Sequence, residues 1–453
     1  MIILNGTFMT AKKQLSFAVT ILLAGVVSAQ NPFIKGQFTA DPTARVFNGK
    51  MYVYPSHDIP APADKPNLRK DWFCMADYHV FSSENLTDWT DHGVIVTQEK
   101  VAWVNDEAYS MWASDCVYKD GMYYFYFPSI VKPDSITKKF GMMIGVAISD
   151  RPDGGFVPME EPIKGVYGID PCTLIDDDGQ AYMYWGGGQR LQGARLKPNM
   201  LQLDSEPVLI EKLPDGMKEG PFVFKRKGKY YFTFPWVPKE GETENLSYAM
   251  GDSPLGPFEY KGLIMDQSPT KCWTNHHSIV EYKGEWYLFY HHNDYSPAFD
   301  KNRSVRIDKI YFNEDGTIRK VTPTLRGVGI TNATDEIQLD RYSELSKAGA
   351  AIGYIDTTDY FAGWKTILSA KNASVQYNDV DFGAANLTLV SAKILKGTGT
   401  LLVKTDGKTV AKIAVKTAGL TTVPVQNIPQ GLHNLSVVLD NNGSVEIDWI
   451  KFE

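Results

Sequence analysis

The sequence runs to 453 residues, 43% hydrophobic and 22% charged, with a formal net charge of -7. One hydrophobic core rarely serves more than about 250–300 residues, so two domains are expected. The negative balance argues against a nucleic-acid partner, which would require a basic face, while 10 Trp, 24 Tyr and 22 Phe suit a β-rich fold and a site that stacks on sugar rings.

The N-terminus reads as an export signal. Lys12 and Lys13 precede a mostly apolar run over 15–27, and Val27, Ser28 and Ala29 offer a small-residue cleavage site. Residues 1–29 are thus expected to be a signal peptide, with a mature chain from Gln30 that is secreted or periplasmic. A membrane anchor is the competing reading, but the apolar run is shorter than the ~20 residues a span needs, so no membrane span is expected. Cys74, Cys116, Cys172 and Cys272 are widely spaced with no CxxC pair. They suit neither a zinc site nor a small disulfide scaffold, leaving buried thiols or one disulfide open.

From residue 47 onward one unit recurs: a glycine followed by alternating aromatics. Its five copies centre on Gly49, Gly121, Gly179, Gly228 and Gly284, spaced 72, 58, 49 and 56 residues apart. Each reads as a tight turn feeding a half-buried strand, and the spacing suits a four-stranded blade with loops of variable length. Five such units predict a five-bladed β-propeller over 30–326, a ring that leaves only short strand edges. A β-sandwich with coincidental turns is the alternative that the repetition opposes. After Arg326 the unit is lost, and alternating Thr, Val, Ala and Leu runs such as 388–394 and 399–404 take over. Residues 327–335 are read as a linker and 336–453 as a second all-β domain, a jelly-roll sandwich.

Cleavage of a glycosidic bond needs an acid for the leaving oxygen and a base or nucleophile on the other face of the sugar. Among 53 acidic residues, position selects three. Asp41, Asp170 and Glu219 precede Gly49, Gly179 and Gly228 by eight, nine and nine residues. That common offset predicts that they stand at one height on the inner strands of blades one, three and four. Pro42 and Pro171 are expected to hold Asp41 and Asp170 extended at a strand entry. His276 and His277 share the offset before Gly284, which suggests an axial role, against a carboxylate or a metal. There is no HExxH and no three-ligand spacing for a hydrolytic zinc.

Taken in order, Ala40-Asp41-Pro42, Met111-Trp112-Ala113, Ile169-Asp170-Pro171, Glu219-Gly220-Pro221, Asn275-His276-His277-Ser278 and Arg303-Ser304-Val305 resemble glycoside hydrolase family 43 over about 31–326. The resemblance implies an inverting hydrolase in which Asp41 is the general base, Glu219 the general acid, and Asp170 tunes and orients that acid. An inverting pair stands roughly 6.5–9.5 Å apart, which is the expectation for Asp41 and Glu219. It further implies that Arg303 binds sugar and Trp112 walls the −1 pocket. A calcium ion on the propeller axis, largely water-coordinated, would take His277 as its protein ligand and leave His276 to the substrate side.

Residues 336–453 are similar to a family 6 carbohydrate-binding module through Ile337 to Tyr342, Val380 to Gly383, Gly431 to His433 and Ile447 to Trp449. They depart from it at Leu420 and Glu446, where that family commonly has a stacking aromatic and an Asn. The implied activity is α-L-arabinofuranosidase on a plant cell-wall polysaccharide or oligosaccharide such as arabinoxylan or arabinan. β-Xylosidase and endo-arabinanase are the alternatives within the family, and a non-catalytic sugar-binding propeller is the alternative outside it.

Overall fold

The computed structural model describes residues 30–133, 141–188, 190–384 and 386–453; the expected signal peptide lies outside the described residues. Five antiparallel sheets form the first domain. Blade one comprises Phe38–Phe47, Lys50–Asp58, Asp77–Ser83 and Thr90–Thr97 in sequential order, and blades two to four start at Asp115–Lys119, Ile169–Ile175 and Phe222–Arg226. Blade five has three strands, His277–Tyr282, Glu285–His292 and Ser304–Lys309. The first strands of the five blades touch one another in a closed ring around the axis.

Four of the repeat glycines follow a residue that also has positive φ: Asn48 and Gly49, Asp120 and Gly121, Lys227 and Gly228, Lys283 and Gly284. Two consecutive left-handed residues make the hairpin turn whose twist matches that of the strands it joins. The turn at Gly179 is built differently, with the Gly179 amide donating to Asp176 O at 2.8 Å and the Asp176 amide to Gln180 O at 2.9 Å.

The aromatic strands were expected to be half-buried, and the structure corrects this. Both faces are covered, because each blade packs between two others. Tyr54 packs toward blade two with Phe125 and Cys116, while its neighbour Val53 packs toward blade five with Phe289 and Val305. Tyr126 joins Met183 and Trp185 of blade three, and Tyr184 joins Phe232 of blade four. This explains runs such as Tyr123 to Tyr126, in which Tyr123, Phe125 and Tyr126 are buried and Tyr124 is partly exposed. The open edge of blade five is covered by residues 31–33. The Phe33 amide donates to Val305 O at 3.3 Å, and the Asn31 side chain brackets Ile307 through its carbonyl (2.9 Å) and amide (2.8 Å).

The second domain is a sandwich whose layers share the 17-residue strand Leu389–Thr405. Its first part pairs with Gly419–Pro424 and Ser444–Phe452, and its second part with Lys408–Val415 and Leu432–Leu439. Val390, Ile394, Leu401, Val403 and their partners fill the core between the layers. Within the 327–335 segment, Thr331–Asn332 already pairs in parallel with Val380 and Asp381. An aromatic cluster of the sandwich faces the propeller: Trp364 lies 5.1 Å from Tyr295, Phe361 lies 4.8 Å from Phe38, and the Tyr354 hydroxyl donates to Asp294 O at 2.8 Å. Leu420 is 61% exposed, and Glu446 is paired with Lys365 at 2.8 Å.

Candidate active site

Asp41 and Asp170 are not extended as the following prolines led one to expect. Their φ values are 48° and 57°, and each lies where strand register shifts, between Ala40 and Thr43 in blade one and opposite Tyr184 to Gly186 in blade three. A bulge inserts a residue and re-aims its side chain, and Asp tolerates the left-handed region better than most residues. Both carboxylates are thereby turned off their ladders toward the axis. Glu219 follows the short strand Met217–Lys218 and precedes Gly220, whose φ is 53°. A Cβ at Gly220 would stand 2.8 Å from Pro235, so only glycine fits there.

The three acids, His276, Arg303 and Trp112 line one pocket, as their common offset before the hairpin glycines predicted for the acids. The cavity is about 100 Å³, room for one small sugar ring rather than a length of chain. Its walls include three aromatics that pattern reading missed, Trp72, Phe73 and Trp273. Phe73 stacks on Trp273 at 5.8 Å, and the Arg303 guanidinium lies 4.7 Å from the Phe73 ring. The adjacent Trp72-Phe73 pair, in a loop otherwise rich in Lys, Asp and Pro, was the available signal.

Asp41 is held by an ion-pair network. Arg303 Nη1 and Nη2 donate to its two oxygens at 2.7 and 3.2 Å, and Ser56 Oγ donates at 2.7 Å. Arg303 also grips Asp58 through Nε (3.0 Å) and Nη2 (2.9 Å), and Thr274 Oγ1 accepts from Nη1 at 3.2 Å. These bonds engage all five guanidinium N–H groups. The Asp41 amide donates to His291 Nδ1 at 3.0 Å, which puts the imidazole proton on Nε2, facing Thr274 Oγ1 at 3.0 Å. Burial pushes the Asp41 carboxyl up, but the Arg303 charge and the Ser56 hydrogen bond outweigh it and bring the pKa down to about 2. Asp41 is therefore an anion at any working pH.

The other acids are pushed the opposite way. Asp170 accepts from the Gly220 amide at 3.0 Å, yet burial and then the neighbouring Glu219 and Asp41 raise it well above the usual carboxylate range. Burial, with the charge of Asp41, also raises Glu219. A fourth carboxyl, Glu244, is 1% exposed, accepts the Asn275 amide at 2.7 Å and shares a side-chain hydrogen bond with Glu219. Burial and the Glu219 charge raise it strongly. Three crowded, buried carboxyls oppose one another's ionisation, so the cluster holds a proton to higher pH than an isolated carboxyl would. Glu244 lies on a strand-entry loop of blade four with no motif of its own, and only the fold brings it to Glu219.

The two histidines part company. His276 faces the acids, with Nδ1 3.9 Å from Asp41 and 4.0 Å from Asp170, and burial brings its pKa down to about 4, leaving it neutral. His277, the first residue of the strand, does not line the pocket, and its Nε2 is 2.6 Å from Thr233 Oγ1. Since Thr233 gives its single proton to Phe222 O (2.9 Å), His277 must donate from Nε2. Its Nδ1 lone pair is then buried without a partner among the described residues. Such a nitrogen fits a cation or its hydration shell. All four cysteines are buried free thiols.

The family model described as Glycosyl hydrolases family 43 matches residues 29–318. The chain is 40% identical to the "Xylosidase/arabinosidase 43A" of Humicola insolens over 335 residues, covering 63% of this chain and 98% of that protein. Among solved structures it is similar to a β-xylosidase/α-arabinofuranosidase from a compost microbial metagenome, in complex with xylotriose and in a calcium-free form. The identity there is 35%, the TM-score 0.56, and the coverage 65% of this chain and 98% of that one. A likeness of fold extends over both domains to the arabinoxylan arabinofuranohydrolase of Bacillus subtilis, at 22% identity and TM-score 0.56, covering 94% of this chain and 99% of that one.

Proposed function

The chain belongs to glycosyl hydrolases family 43, and from that premise we propose that it is an inverting, exo-acting α-L-arabinofuranosidase that removes arabinose from arabinoxylan or arabinan. One observation carries the reading: a single small pocket pairs a carboxylate held ionised, Asp41, with a carboxyl pushed toward protonation, Glu219. In the proposed reaction Asp41 takes a proton from the water that attacks the anomeric carbon, and Glu219 gives its proton to the departing oxygen. Asp170, anchored by the Gly220 amide, orients the acid and shares with Glu219 and Glu244 the proton that the cluster holds. Arg303, with its donors engaged by Asp41, Asp58 and Thr274, fixes the base. Trp72, Phe73, Trp112 and Trp273 supply apolar faces for a sugar ring, and the one-ring cavity supports exo action.

A second reading, β-xylosidase, has its support in the name of the relative at 40% identity, xylosidase/arabinosidase, which carries both activities. Hydrolysis of p-nitrophenyl α-L-arabinofuranoside and p-nitrophenyl β-D-xyloside, with the first-formed anomer followed by proton NMR, tests both. Faster release from the arabinoside with inverted configuration is expected. A retained anomer would remove the inverting assignment, preference for the xyloside would move the activity to the second reading, and no turnover of either would point to endo action.

The same proposal includes an axial calcium that would meet the free Nδ1 of His277 and supply positive charge beneath the pocket. Calcium heats that are absent, or unchanged in His277→Gln, would count against it. It also predicts the effect of Glu244→Gln. The amide still donates to Glu219, favouring its anion, but no longer shares a proton with it, so the alkaline limb of kcat/KM should move to lower pH. An unmoved limb would show that Glu244 does not share the acid's proton.

A further inference from the structure

We propose that His57, Asp77 and His79 form a metal site on the first blade, for a transition-metal dication of the zinc class. His57 lies on Lys50–Asp58, and Asp77 and His79 lie on Asp77–Ser83. Ser56 stands opposite Tyr78 in this antiparallel pair, so His57 stands opposite Asp77 on the other face, with His79 two residues further along that face. His57 Nδ1 is 2.7 Å from Asp77 Oδ1, His79 Nε2 is 4.0 Å from the same oxygen, and the two imidazole rings are 5.0 Å apart. One ligand atom from each of the three falls within 4.8 Å of the others. A tetrahedral ion with ligands at ~2.0–2.1 Å sets them roughly 3.3 Å apart, so small side-chain rotations close the set, opening the short contact and drawing in the long ones.

A second observation concerns the orientation of His79. Both oxygens of Asp91 lie against its Nδ1, at 3.1 and 3.3 Å. A carboxylate there accepts a hydrogen bond from Nδ1–H and leaves the Nε2 lone pair toward Asp77, the arrangement that commonly fixes a metal-binding imidazole. The side chains of His57, Asp77 and His79 are 20%, 21% and 14% exposed, which gives an ion a way in and leaves room for water as a further ligand. Two imidazoles with one carboxylate suit zinc and its neighbours rather than calcium or magnesium, which prefer all-oxygen sets. The nineteen residues between His57 and Asp77 hide the site from any spacing rule.

His57 stands between Ser56, which donates to Asp41, and Asp58, which receives Arg303. An ion joining the two strands from behind would therefore clamp the segment that holds the pocket's anionic side.

The test uses the full chain, treated with chelator and titrated with zinc by calorimetry and with cobalt by visible absorption. Wild type should bind one zinc, show cobalt ligand-field bands and melt at higher temperature with zinc present. His79→Ala and His57→Gln should each lose binding at least tenfold, and Asp91→Asn should weaken it about 10–100-fold. The proposal is overturned if wild type binds no zinc, if both histidine variants bind as wild type does, or if His277→Gln is the variant that loses the ion. Should His79→Ala fail to fold, His57→Gln, which keeps a polar side chain on the strand, carries the same readout.

Discussion

Glu219→Gln is expected to lower kcat by roughly 10²–10⁴-fold on arabinoxylan oligosaccharides but far less on an aryl arabinoside with an acidic phenol. The leaving group makes the difference. A departing sugar hydroxyl needs a proton in the transition state, whereas an acidic phenol departs as its anion. Asp41→Asn should instead impair both substrates alike, because water must be activated whichever group leaves. The contrast isolates the two roles, and equal loss on both substrates in Glu219→Gln would remove Glu219 as the acid. With Asp41 at about 2, the acid limb of the pH profile cannot belong to the base at ordinary working pH. The alkaline limb should belong to the cluster of Asp170, Glu219 and Glu244, as a property of the group rather than of one residue.

The offset that exposed Asp41, Asp170 and Glu219 in the sequence works because a hairpin glycine pins the end of each blade's first strand. Counting back from it then measures height along the axis. His276 lies just before its strand and reaches the acids, while His277, the strand's first residue, reaches Thr233. The left-handed backbone at Asp41 and Asp170 was not legible, because local preference before proline points to extended geometry and the bulge belongs to strand pairing. Nor were the partners that set the electrostatics. Asp58 lies 245 residues from Arg303, and Glu244 meets Glu219 only because a loop of blade four folds back over that blade's own entry. Such residues carry no local signal: Asp58 is one acid among 53 until the ring closes and brings blade five against blade one.

Arg303→Leu is expected to destabilise the fold by about 3–5 kcal/mol, the usual cost of leaving buried charge uncompensated. Asp41 and Asp58 are 5% and 1% exposed, and both depend on this guanidinium. Burial already raises Asp58 above its ordinary value with Arg303 present. Arg303→Lys should recover only part of the loss, since one ammonium cannot reach both carboxylates with the geometry of a planar fork. Asp58→Asn placed on Arg303→Leu should restore stability, because it removes one of the stranded charges. The pH dependence fixes the sign. In wild type the Asp41 pKa falls from 3.8 to about 2 on folding, so its contribution is fully present above about 3.8 and is lost as pH falls toward 2. Without Arg303 the folded pKa of both acids rises above the unfolded value, and those groups then disfavour folding increasingly as pH rises. The stability gap between wild type and Arg303→Leu, measured by urea unfolding, should therefore be widest near neutrality and narrow as the medium is acidified. A gap that stays constant with pH would mean that the arginine holds the pocket by packing on Phe73 rather than by charge.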